Sequence, residues 1–429
     1  MPACESASLD AKRLLRPQTW LYVLAALLPF ERIPAVPVGG FHLRPSIVAG
    51  LILVIVTLIK APKLVLPKRA VRWALVVFLG VCALSSLLSN QPAHALRITA
   101  YTLLAALLAL CVAYAVRQAS LRTLYLVLLG SSLVVALFAF YQFTADLGGL
   151  STHVTGLKTM YSSQVFGFPR VQAASAEPLY FANYLLLPLA ILSAVGLVVG
   201  ESLAVLVVLG TALLLTLSRG GVIVASLAAI FFIGLALYRR RLKDASKLGA
   251  AGLISLILTF LALTYLVPVL RHEPAGTPRR SAVSVYTDQV TNLEVGNGKV
   301  DRAKTRELAT AAFQAHPWLG VGPGNFGAYA ASVHSGYSAD QIVNNEPLEL
   351  LAETGVVGFG AFIVFVVLLT RRAVLALRRD KRALHRAVLI GALVYLAATS
   401  VQYWSFSTLY IIQVWFAIGL VFGLSEETL

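Results

Sequence analysis

"TLSRGGVIVASLAAIFFIGLALYRRRLKDASK", residues 216–247, decides the fold. Val222 to Leu237 is apolar and uncharged, close to the ~20 residues a helix needs to cross ~30 Å of hydrocarbon. A lone arginine, Arg219, stands at one end before two glycines, and "RRRLKDASK" (239–247) gathers cations at the other. A bilayer-crossing helix with its basic end in the cytoplasm reads this way.

Working outward, the same pattern recurs at Trp73–Leu88, Thr102–Val116 and Leu203–Leu217. The 429-residue chain is 58% hydrophobic and 13% charged, with a mean hydropathy of +0.81. A soluble domain carries roughly a quarter charged residues and cannot bury so much apolar surface. The expected fold class is therefore an all-α polytopic membrane protein. A barrel is excluded, because it would show ~10-residue segments of alternating hydrophobicity. Twelve spans are expected, near 19–38, 44–60, 72–90, 97–117, 121–143, 177–199, 201–217, 220–238, 248–269, 348–370, 385–402 and 404–425, forming one integral membrane domain over 1–429.

Charge orients the spans. Lys12, Arg13 and Arg16 precede the first apolar run, which carries no signal-peptide cleavage pattern. The 60–72 loop, Arg117 with Arg122, "RRRLKDASK" and "RRAVLALRRDKRALHR" (371–386) all fall on that same side. Both termini are thus expected in the cytoplasm, and the long loops 144–176 and 271–347 outside, the latter between spans 9 and 10. The net charge of +16 is spent on this pattern and does not indicate nucleic acid. Cys4, Cys82 and Cys111 form neither a disulfide framework nor a metal-ligand spacing.

The polar residues worth attention gather on the outer face. Arg219 lies where the positive-inside rule disfavours cations, so it is either a ligand-binding group or a snorkelling lipid contact. Gly220 and Gly221 leave room beside it. Arg170 and Arg302 are further outward arginines, and guanidinium groups grip phosphate oxygens in a fixed fork. The 300–320 stretch reads as a helix with Asp301 at its start and Pro317 as its stop. His272, His316 and His334 lack metal spacing, and no nucleotide-binding glycine motif is present. The candidate acids and bases are Glu177, Glu346, Glu349 and Glu353. Glu177 before Pro178, and Glu346 and Glu349 after Asn345, also suit helix N-termini. Glu353 lies beyond simple capping and is either functional or paired with a cation from a neighbouring helix.

Four stretches in this order resemble one family: Arg170–Tyr184 with its R-x6-E-P…Y pattern, "SRGG" (218–221), "DR…HPWLGVGPGNF" (301–326) and "NNEPLELLAETGVVGFG" (344–360). The chain resembles the O-antigen ligase and polymerase superfamily of bacterial inner-membrane glycosyltransferases. The resemblance implies about twelve helices, a large periplasmic loop and an active site facing the periplasm. It implies transfer of a glycan from an undecaprenyl-diphosphate carrier to an acceptor, with inversion and without nucleotide or essential metal. The acceptor is the lipid A core in ligases and another carrier-linked glycan in polymerases. Arg219 and Arg302, with Arg170, correspond to arginines engaging the diphosphate. Partners are then the donor, the acceptor and membrane lipids.

One position departs from the ligase pattern. Counting back from Gly355 and Gly358, Asn344 stands where a ligase has histidine. A neutral amide accepts no proton, although it can orient a hydroxyl or phosphate. The base role then falls to Glu177, Glu346 or Glu353, and the polymerase reading gains on the ligase reading. The rival class is a transporter or flippase for a lipid-linked or anionic solute. Such proteins place charged or helix-breaking residues at mid-membrane in paired halves, whereas the mid-span regions here are largely apolar.

Overall fold

A computed structural model describes residues 15–33, 36–38, 41–60, 69–162, 168–200, 202–271, 302–407 and 409–426. Cys4, His272, Arg279, Arg280 and Asp301 lie outside the described residues. The chain divides into two compact units. The first comprises Met1–Lys60, Gln118–Asn292 and Lys381–Ala398; the second, Ala61–Arg117, Leu293–Asp380 and Thr399–Leu429.

Among the described residues, eight helices are long and apolar enough to cross a membrane: Arg69–Leu87, Pro92–Val116, Leu121–Leu147, Pro178–Val199, Arg219–Tyr238, Leu242–Leu270, Glu346–Arg379 and Ala383–Gln402. Their outward faces are apolar, with Leu137 61%, Ile230 65%, Leu253 60% and Val367 57% exposed. Such surface is stable against lipid and not against water. This is a multi-pass membrane protein. Pro45–Lys60, Leu203–Leu215 and Ile412–Glu426 are shorter apolar helices.

Two span expectations need correction. The run expected as 19–38 is helical only over Pro17–Leu27. Pro29, Pro34 and Pro37 carry no backbone N–H, so they give the helical ladder no donors with which to continue. The chain forms instead a short antiparallel pair, Val36–Val38 with Phe41–Leu43. The run expected as 404–425 becomes helical at Ile412. Residues 403–407 form a turn whose carbonyls at Tyr403 and Phe406 accept from the Glu346 N–H, at 2.8 and 3.2 Å.

In the first unit, Pro178–Val199 is buried on nearly every side, through Phe181, Tyr184, Leu185 and Ile191. Its buried amide, Asn183, accepts a hydrogen bond from the Tyr395 hydroxyl at 2.8 Å. In the second unit, Ile412–Glu426 packs along Pro92–Val116. Apolar helices gain little from burial against one another in lipid, so close backbone approach has to stabilise the pair. Gly419 supplies it, since a Cβ there would fall 2.6 Å from the Ala109 carbonyl oxygen.

Candidate functional site

In the first unit, the 168–177 segment is buried and tied down from several sides. Gln142, fully buried, accepts from the Ala173 N–H at 2.8 Å and donates to the Ala173 carbonyl at 3.2 Å. The Val171 N–H reaches the Leu215 carbonyl at 3.4 Å, joining the segment to the end of Leu203–Leu215. This anchoring holds Arg170, 7% exposed, with its Nε donating to the Thr216 carbonyl at 3.4 Å. Thr216 lies three residues before Arg219, the first residue of Arg219–Tyr238. Ser218 caps that helix by accepting from the Gly221 N–H at 3.3 Å. Arg170 and the Arg219 turn therefore occupy one corner of the first unit.

Glu177 enters the same corner. It occupies the N-cap position of Pro178–Val199, yet its side chain makes no capping bond. Its carboxylate hydrogen-bonds the hydroxyl of Tyr161, a residue with no sequence signal of its own. Arg170 donates its backbone N–H to the Tyr161 carbonyl at 2.9 Å, and its guanidinium carbon sits 5.7 Å from the Tyr161 ring centroid. Burial pushes the Tyr161 hydroxyl up to about 12, and the Glu177 charge adds to the rise against the opposing pull of Arg170. The phenol therefore stays a proton donor at physiological pH. A buried cation, a ring, a hydroxyl and a carboxylate thus stand in sequence, each held by the next.

In the second unit the side chains serve the backbone. Asn345 caps Glu346–Arg379 by accepting from the Leu348 N–H at 3.0 Å, as expected for this start. Its amide donates to the Trp404 carbonyl at 3.3 Å, and its backbone N–H donates to Ser407 Oγ at 3.0 Å. Glu349 turns back to the Val343 N–H at 2.7 Å. Glu346 is buried in the first turn. Arg302 begins the helix Arg302–Ala315 and its Nη1 lies 3.5 Å from the Ser405 carbonyl. Arg302, Asn345 and Glu346 thus clasp one turn, 403–407. Asn344 has φ 59°, a left-handed backbone at which asparagine and histidine are both enriched.

Glu353 pairs with backbone donors and not with the cation that was one expectation. It accepts from the Phe326 N–H at 3.3 Å and from the Gly324 N–H. Two residues on, Gly355 breaks the helix at φ 62°, ψ −171°, a conformation essentially confined to glycine. The break frees backbone groups, and the 317–322 loop satisfies them. Val356 N–H donates to the Pro317 carbonyl at 2.9 Å. The Ala352 and Glu353 carbonyls accept from Val321 and Gly322 at 3.0 and 2.9 Å. Ser85 completes the seam, donating 2.5 Å to the Leu319 carbonyl and 3.0 Å to that of Glu353. A Cβ on Gly320 would collide with the backbone of Glu353, and one on Gly355 with that of Trp318. "HPWLGVGPGNF" and "ETGVVG" are two sides of one backbone seam.

The sequence candidates therefore assort by unit: Arg170, Glu177 and Arg219 in the first, Arg302, Asn344, Glu346 and Glu353 in the second. Of the four non-glycine residues with positive φ among the described residues, Ala173, Leu217 and Asn344 lie in these segments. Each such conformation costs on the order of 1 to 3 kcal/mol and persists only where surrounding structure enforces it. Among the described residues, no three His, Cys, Asp or Glu side chains gather as a metal site. The family model described as O-Antigen ligase matches residues 204–363, which include Arg219, Arg302, Asn344, Glu346 and Glu353. No curated protein matches the chain.

Proposed function

The chain belongs to the O-antigen ligase superfamily, and from that premise we propose that it transfers a glycan from an undecaprenyl-diphosphate carrier to an acceptor hydroxyl at the periplasmic face of the bacterial inner membrane. A membrane glycosyltransferase-like function follows from the family; donor, face and mechanism are our reading. The observation that carries it is the first-unit corner, where the buried Arg170 binds the turn that begins the Arg219 helix. In this reading the eight long helices and the shorter ones, Pro17–Leu27 included, make up twelve spans with both termini cytoplasmic.

The acceptor oxygen attacks the anomeric carbon from the face opposite the diphosphate, so the carbon inverts. The bond from that carbon to the diphosphate oxygen breaks, and the electron pair leaves with the diphosphate. Arg219 and Arg170 stabilise the charge that develops there, as fixed donors do in a partly dry site. The acceptor proton passes to a carboxylate. We take Glu177 as that carboxylate; the reading is supported by a side chain that makes no capping bond, whereas Glu353 holds two backbone donors. Tyr161 positions Glu177 and Arg170 against each other.

The test incubates purified protein with an undecaprenyl-diphosphate glycan and, separately, lipid A core or a second carrier-linked glycan. One added unit on lipid A core marks a ligase; a ladder of products marks a polymerase. Glu177→Gln should slow transfer about a hundredfold, the usual scale for a lost general base. Failure of the wild-type protein to use any carrier-linked donor would overturn the proposal.

A further inference from the structure

The other end of the Arg219 helix carries a second cationic site. Arg219–Tyr238 runs 20 residues, which puts its last turn about 30 Å from Arg219 at about 1.5 Å per residue. There a cavity of about 320 Å³ opens, walled by the ends of Pro178–Val199 and Arg219–Tyr238 and the start of Ala383–Gln402. Arg239, Arg241 and Arg386 line it together with Leu197, Leu235 and Ile390. All of these residues belong to the first unit.

Three features separate this cavity from an ordinary basic loop. The Nε of Arg386 is buried and has no hydrogen-bond partner, a costly state for a charged group unless something occupies the site. Arg240, between the two lining arginines, holds φ 56°, the fourth left-handed non-glycine residue among those described. Arg241 is braced by the Leu197 carbonyl and by Asp244, 3.5 Å away. The neighbouring side chains are apolar and exposed, Val199 at 73% and Tyr238 at 87%. Fixed cations beside an apolar wall match a molecule with an anionic head and hydrocarbon tails. Basic pockets between membrane helices take such headgroups.

We propose that this cavity binds an anionic phospholipid, its phosphate on Arg239, Arg241 and Arg386 and its acyl chains along Leu197, Leu235 and Ile390. A soluble anion would use the same guanidinium groups but gain nothing from the apolar wall.

The test uses full-length protein in detergent, with retained lipid counted by native mass spectrometry. Wild-type protein should hold one phosphatidylglycerol in preference to phosphatidylcholine. R239Q/R386Q should lose that preference by about tenfold or more, while R379Q, which removes an exposed arginine outside the cavity, keeps it. If R239Q/R386Q fails to fold, R239K/R386K replaces it; restored charge without fork geometry should weaken binding and leave the lipid preference. Equal retention of both lipids by wild-type protein would overturn the proposal. So would thermal stabilisation by millimolar inorganic phosphate that matches the effect of phosphatidylglycerol.

Discussion

The two motif-bearing corners are built in opposite ways. In the first unit the polar groups meet side chain to side chain: Arg170 lies over Tyr161, and Tyr161 bonds Glu177. In the second unit they are absorbed by backbone: Asn345, Glu349 and Glu353 bind N–H groups of Leu348, Val343 and Phe326. A carboxylate holding main-chain donors is costly to disturb, because its partners have no alternative when it leaves or takes a proton. A carboxylate holding a tyrosine hydroxyl can change partners. The second corner is thus fitted to holding a shape, and the first is where our proposed function puts the reaction.

Several substitutions would break or sharpen this contrast. The largest effect is expected from Arg219→Ala, which should cut transfer about a thousandfold while the melting temperature in detergent stays at the wild-type value. Transfer at the normal rate by that variant would remove the diphosphate reading. Next comes Gly355→Ala. The forbidden backbone and the clash with Trp318 together should cost about 3 kcal/mol, read as a lowered melting temperature; an unchanged one would dissolve the seam argument. Glu353→Ala should lose about 2 kcal/mol by stranding two backbone donors. Glu353→Gln, which keeps an acceptor oxygen but cannot serve as a base, should restore most of that stability and keep transfer within about threefold. A stable Glu353→Gln protein without transfer would instead make Glu353 the base. The smallest effect is Tyr161→Phe, which removes one hydroxyl and should slow transfer about fivefold, the equivalent of about 1 kcal/mol.

Much of this was legible in sequence, and the reasons differ by residue. Apolar run length marks helices because the bilayer demands it, so the long spans are visible without tertiary information. Asn345 and Pro347 announce the helix start because capping is local. The first span misread shows the limit of that signal: hydropathy continues past Leu27, while the prolines end the helix. The partners of Glu353 and Glu177 were not legible for a related reason. Those partners, Phe326 and Tyr161, are 27 and 16 residues away in a chain whose loops follow no periodicity. Tyr161 itself had no signal at all. The glycines at 320 and 355 suggested close approach, but only the fold shows that each approaches the other's strand of backbone.

The break at Gly355 also governs rotation. Below it stands a polar foot, residues 346–354; above it runs an apolar rod to Arg379, 24 residues, or about 36 Å at about 1.5 Å per residue. The rod is gripped by neighbouring helices and the foot by the 317–322 loop, so neither can turn freely. One residue inserted into the rod would demand about 100° of rotation between them, with no soft joint except the glycine. Hydropathy would hardly register such an insertion, but the polar foot would face a different direction. The phase of this helix, as much as its composition, sets where the second unit points its amides.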